Sequence, residues 1–216
     1  MLHAPSLSRR DIVLEADGVA LPGSLTVPDG LVGVVVFAHG SGSSRTSPRN
    51  TRVADLLNGA HLGTLLFDLL TPAEASNRQN VFDIPLLARR LSVAADRIVE
   101  QPDLAEVRLG YFGASTGAAA ALWAAAGDPR VRAIVSRGGR PDLARPRLPA
   151  VQAPTLLIVG ALDQVVLELN EEARQFLRCE NRLELVPGAT HLFEEHGALT
   201  SVARLARNWL VDHLAG

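Results

Sequence analysis

The sequence predicts an α/β fold, with a mainly parallel sheet covered by helices on both faces. Three observations predict it. Short apolar runs alternate with segments of helical periodicity along the chain. The runs are apolar at nearly every position, as in strands buried on both faces. Most end at a glycine, an aspartate or a Pro-Gly pair that breaks the strand before the next segment.

Taken in order, Asp11–Glu15 and Val19–Val27 read as strands, with Asp17-Gly18 as the hairpin turn between them. Pro22-Gly23 interrupts the second strand and assigns it to a sheet edge. Val32–Ala38 is a continuous β-branched run that stops at His39-Gly40-Ser41-Gly42. Arg52–Ala60 reads as a helix, Thr64–Phe67 as a strand ending at Asp68, and polar Thr71–Asn80 as a loop. Pro85–Glu100 is helical, since Leu87, Leu91, Ala94, Ala95 and Ile98 share one face. Val107–Phe112 is a strand stopped by Gly113, and the alanine-rich Thr116–Ala126 is a helix closed by Gly127 and Pro129. Val131–Val135, Thr155–Val159 and Arg182–Val186 complete the strands, and Glu168–Arg178 and Leu199–Leu214 the helices.

Composition removes several chemistries. All 21 basic residues are arginine, so the chain has no lysine. A P-loop, a Schiff-base aldolase, a pyridoxal-phosphate enzyme, a protein kinase and a Ser-Lys hydrolase each need a lysine amine. One cysteine, Cys179, leaves no intrachain disulfide and no thiolate metal cluster. Hydrophobic residues at 47% and charged residues at 20% describe a globular chain. At roughly 150 residues per domain, residues 1–216 form a single one. No apolar run is long enough for a membrane span, and no leader-like stretch opens the chain. A net charge of −2 with scattered arginines gives no nucleic-acid stripe. The expectation is a cytoplasmic protein with no nucleic-acid or membrane partner.

In parallel α/β sheets ligands bind at the carboxyl ends of the strands, so the loops after strands hold the candidates. Gly113-Ala114-Ser115-Thr116-Gly117 is a G-x-S-x-G with a strand before it and a helix after it. That context is a nucleophile elbow: small neighbours permit a tight turn that lifts the serine hydroxyl above the sheet. A serine hydroxyl needs a base. His191 follows the last strand, in Pro187-Gly188-Ala189-Thr190-His191, with His196 as its substitute in a longer loop. Asp163 follows the preceding strand and would accept the imidazole N–H. Competing readings make Ser115 a helix cap and Asp163 a turn residue. Two backbone N–H groups are needed for an oxyanion. Thr116 supplies one, and Ser41 the other, with Gly42 as its alternate. His39 reads as a residue that shapes this loop.

Together these residues resemble the α/β-hydrolase superfamily, specifically its small dienelactone-hydrolase-like branch. The supporting stretches are Phe37 to Arg45 (FAHGSGSSR) with Ser47 to Asn50 (SPRN), Phe82-Asp83-Ile84 with Leu87 to Leu91, and Val135 to Leu143 (VSRGGRPDL). The resemblance runs from about Val13 to Leu214. It implies an α/β-hydrolase fold with a mostly parallel sheet of about eight strands, and hydrolysis of carboxylic esters or lactones. No cofactor and no metal is implied. Dienelactone hydrolase proper has a cysteine nucleophile where this chain has Ser115. Some relatives are fused to a phosphoribosyltransferase domain, an activity nothing in this chain supports. The stretch from Ser136 to Ala150 is too short for a cap domain, which implies an open, shallow site.

Arg45, Arg137 and Arg140 lie on strand-end loops. Arg137 is the leading candidate for a fork onto an anionic group of a small substrate, with Arg45 and Gly42 also at the binding site. The competing reading pairs Arg137 with Asp142 or with a loop carbonyl. A thioesterase, amidase or perhydrolase would use the same triad, and a non-catalytic small-molecule receptor would use the same fold.

Overall fold

In the computed structural model, which describes residues 4–215, β1 (Leu7–Ala16) and β2 (Val19–Pro28) form the expected hairpin. The apolar runs become β3 (Gly33–Ala38), β4 (Leu62–Phe67), β5 (Leu109–Ala114), β6 (Val131–Arg137), β7 (Thr155–Gly160) and β8 (Asn181–Val186). The eight strands form one sheet in the order β1-β2-β4-β3-β5-β6-β7-β8. All neighbours from β4 to β8 are parallel; β1 and β2 are antiparallel additions. Every residue of β3, β4, β5 and β7 is buried, which is why those runs show no polar alternation.

Helices cover both faces. On one side α4 (Ile84–Val99) and α5 (Thr116–Ala125) pack with Val34, Val36, Leu65, Tyr111 and Ile134. On the other, α1 (Pro48–Asn58) and α7 (Ala198–Leu214) pack with Val35, Phe37, Phe112 and Val135. Strand residues alternate between these cores, as the two-residue period of a strand requires. α6 (Gln164–Arg174) follows β7. No helix among the described residues is long and apolar enough to cross a membrane.

The chain departs from the sequence expectations at several places. β2 is not an edge strand: it runs unbroken between β1 and β4. Its pairing with β4 spans only Gly23 to Thr26, beginning just after Pro22, so the missing N–H of Pro22 removes no bond to β4. α1 starts at Pro48 because Ser47 caps it, accepting from the Asn50 N–H, and a first-position proline fits a helix start. α6 starts at Gln164 and ends at Arg174, four residues earlier at each end than its periodicity suggests. The segment after β4, expected to be a loop, contains two single-turn helices, α2 (Pro72–Ala75) and α3 (Arg78–Val81).

The strand order locates the cleft. From β3 the chain moves to β4 on one side, while β5 lies on the other. The loops leaving β3 and β5 diverge at this switch point, and a crevice opens between them.

Candidate active site

The turn from β5 to α5 is built around Ser115. A side chain on Gly113 would overlap the Ala118 backbone, and one on Gly117 would overlap the Ala38 carbonyl oxygen. Only glycine fits at either place. Ser115 takes φ 51° and ψ −121°, a conformation costing a non-glycine residue roughly 1–3 kcal/mol. The surrounding backbone enforces it. The Ser115 N–H donates to the Arg137 carbonyl at 3.3 Å, and the Ser115 carbonyl accepts from Ala118 and Arg140 at 3.1 Å each. Although Ser115 occupies the N-cap position of α5, its hydroxyl makes no capping bond. The competing reading of a helix cap therefore does not describe its side chain.

Asp163 repeats this pattern. It occupies the N-cap position of α6, where aspartate is a favoured cap, yet its carboxylate makes no capping bond. The carboxylate is instead 2.7 Å from Nδ1 of His191. An ionised carboxylate only accepts, so Nδ1 is the donor, an arrangement that leaves the Nε2 lone pair free in the neutral ring. The Asp163 side chain is 14% exposed and the His191 side chain 41%. Gly138 lies against the imidazole, with its Cβ position 3.6 Å from Cε1 of His191. Its neighbour Arg137 holds the Ser115 N–H, so the serine and histidine loops meet the same two residues.

The histidine loop is braced on three sides. Thr190 donates its N–H to Glu195 at 3.0 Å and its hydroxyl to the same oxygen. These bonds, the hydroxyl first, hold the Glu195 carboxyl below its ordinary value. Arg49 of α1 reaches Glu194 at 3.0 Å. Phe193 accepts a left-handed φ of 55° and buries its ring. His196 lies on the exposed part of this loop.

Ser41, Gly42 and Thr116 line a cavity of about 190 Å³ beside the elbow. Thr116 opens α5, so its N–H belongs to the helix's unpaired first turn. The loop after β3 is folded by the Ser43 N–H donating to Gly40 at 3.2 Å, and Gly42 takes φ 67°. His39 fixes this loop. Its Nε2 accepts the Leu69 N–H at 3.0 Å, and its Nδ1 faces the Gly40 carbonyl at 3.0 Å. The ring is neutral in this arrangement. Burial holds its value below the ordinary 6.5, against opposing pulls from Gly40 and Asp68.

The arginines take roles other than those expected. Arg45 is engaged by Asp68, through its backbone N–H at 2.7 Å and its guanidinium at 2.8 Å. It is a strut of the loop rather than a free cation. Asp142 pairs with Arg140, at 2.8 and 2.7 Å, not with Arg137. Arg137 is 8% exposed and does not line the cavity. It is on the α1 and α7 side of the sheet, in step with Ala133 and Val135 along β6. Its Nη1 has no partner among the described residues. Burial, and then the charge of Arg49, push its value down to about 10.

The cavity wall was not read from the sequence. It comes from the β4–α4 connection, which contributes Leu69, Leu70, Pro72, Ala75 and Val81. A signal was present: Thr71-Pro72-Ala73-Glu74 is a capping box with a first-position proline, and both of its bonds form. Glu74 is then held by Arg90 of α4. The Arg90 side chain is 1% exposed and bonds both Glu74 oxygens, at 2.9 and 2.7 Å, and the Leu69 carbonyl at 2.8 Å. Arg90→Ala removes the buried guanidinium that bonds Glu74 and the Leu69 carbonyl and is expected to cost about 1.5–3 kcal/mol of stability.

Arg90 lowers the Glu74 carboxyl from 4.5 to about 2. A depressed carboxylate adds stability above its unfolded value, and that stability is lost as pH falls through the folded one. Thermal unfolding of wild type and Glu74→Gln should therefore differ most above 4.5 and converge toward 2. A constant difference across that window would disprove the coupling.

No family model matches the chain. It is 59% identical over 214 residues to proteins of two Mycobacterium tuberculosis strains whose names propose a phosphoribosyl transferase. The match covers 98% of this chain, which spans about half the length of those relatives (48%). The crystal structure of dienelactone hydrolase from Anabaena variabilis superposes with a TM-score of 0.92 at 52% identity, covering 98% of this chain and 100% of that one. Est1E from Butyrivibrio proteoclasticus superposes with a TM-score of 0.81 at 15% identity, over 95% and 99% of the two chains. The second likeness concerns the fold; the first, over full length and at high identity, shows that the chain belongs to the dienelactone-hydrolase-like α/β-hydrolases.

Proposed function

We propose that the protein hydrolyses small carboxylic esters or lactones through an acyl-enzyme on Ser115. One observation carries the reading most: Ser115 and Asp163 both stand at helix N-cap positions without capping. One hydroxyl is left free at a strained turn, and one carboxylate is turned onto His191.

In this mechanism Nε2 of His191 takes the Ser115 proton as Oγ attacks the substrate carbonyl carbon. The N–H groups of Thr116 and Ser41 receive the oxyanion, each contributing roughly 3 kcal/mol to the transition state. His191 then protonates the departing alkoxide. It next deprotonates a water, which attacks the acyl-enzyme and releases the acid. Asp163 keeps the proton on Nδ1 and stabilises the imidazolium in both halves. The lone Cys179 makes a reducing cytoplasm a suitable setting for this activity.

A fluorophosphonate probe tests the reading, with the labelled peptide mapped by mass spectrometry. Modification of Ser115 is expected. No labelling would favour the receptor reading. Labelling with turnover confined to thioesters or amides would change the bond but keep the residues.

A further inference from the structure

We infer that the cavity beside Ser115 is an acyl subsite for a neutral, aliphatic chain, and that it selects against substrates with a carboxylate in that chain. The inference rests on the hydrolase reading above and specifies its substrate.

Position assigns the acyl half to the cavity. Ser41 and Thr116, the candidate oxyanion donors, both line it. A carbonyl whose oxygen meets those donors has two substituents to place. The leaving group must lie within reach of His191, which protonates it. His191 does not line the cavity; its loop packs with α7 on the other side of the elbow. The acyl chain therefore takes the cavity.

Size and chemistry give its class. About 190 Å³ holds about six heavy atoms at roughly 30 Å³ each. Leu69, Leu70, Pro72, Val81 and Leu87 form an apolar surface, and Ala75 keeps one side of it small. The one acidic side chain at its edge, Asp68, is paired with Arg45 at 2.8 Å. Among the lining residues there is no arginine. A carboxylate entering here would lose its water and find no cation among the lining residues, with Arg45 already paired to Asp68, which is unfavourable. The expectation of an anionic substrate is reversed for this half of the molecule, because Arg45 is engaged and Arg137 points elsewhere.

p-Nitrophenyl esters from acetate to decanoate test this. kcat/KM is expected to rise about fourfold per added methylene up to hexanoate, and then to fall for octanoate and decanoate. The hemiglutarate, close to hexanoate in size but ending in a carboxylate, should be at least about 100-fold poorer than hexanoate. Ala75→Phe fills the cavity and should move the optimum to shorter chains; Val81→Ala enlarges it and should move the optimum to longer ones. Thermal unfolding of both variants checks that they fold. A flat chain-length profile, an unmoved optimum in two folded variants, or a hemiglutarate rate equal to that of hexanoate would each overturn the subsite. Absence of Ser115 labelling and of turnover on every ester would instead overturn the hydrolase reading itself.

Discussion

Ser115→Ala is expected to abolish fluorophosphonate labelling and to lower kcat for a good ester by at least about 10⁴-fold. The variant should fold as wild type does, because the hydroxyl makes no capping bond whose loss would matter. The φ of 51° provides an internal check. Glycine adopts that conformation without strain, so Ser115→Gly should be inactive and about 1 kcal/mol more stable than Ser115→Ala. Residual turnover above a few per cent in either variant would remove Ser115 from the mechanism. Equal stability of the two would remove the strain argument.

Asp163→Asn is expected to lower kcat by about 10⁴-fold while leaving stability within about 0.5 kcal/mol of wild type. The amide can donate to the imidazole and stabilise the tautomer with its proton on Nε2, which cannot accept the serine proton. Asparagine caps helices as well as aspartate does, and the native carboxylate does not cap α6 at all. The two readouts separate the alternatives. A rate loss with unchanged melting temperature marks a group acting on His191. A parallel fall in both would mark a turn residue whose role is to start α6.

Much of the fold was legible because the physical cause was local. The short, mostly apolar runs at β3, β5 and β7 read as strands buried on both faces, because each is bounded by glycine or another strand breaker. The elbow was legible because steric demand leaves glycine alone at positions 113 and 117. His191 and Asp163 could be placed because each follows a strand, and the carboxyl ends of parallel strands share one edge. The starts of α1 and α6 were misread for a common reason. Apolar periodicity marks the packed middle of a helix, whereas the ends are set by caps and by what the neighbouring loop must do.

The arginines show where local reading stops. Arg45, Arg137 and Arg140 all lie at or after the carboxyl ends of strands, yet each has a different environment. Arg45 meets Asp68 across 23 positions, Arg140 meets Asp142 two residues away, and Arg137 is turned to the α1 and α7 side of the sheet by the parity of its strand. A guanidinium's role depends on which carboxylate lies within a few ångströms, and that distance exists only after the chain has packed.

The sequence by itself determined the parallel sheet and the absence of lysine, and it put Ser115, Asp163 and His191 after strands in that chain order, since these follow from residue type and short-range spacing. The tertiary structure decided the cavity and its charge. Its wall joins the loops after β3 and β4 to the first turns of α4 and α5, through the bonds of Arg90 to Glu74 and of His39 to Leu69. Such a surface is a sum of long-range contacts, and no window of neighbouring residues contains it.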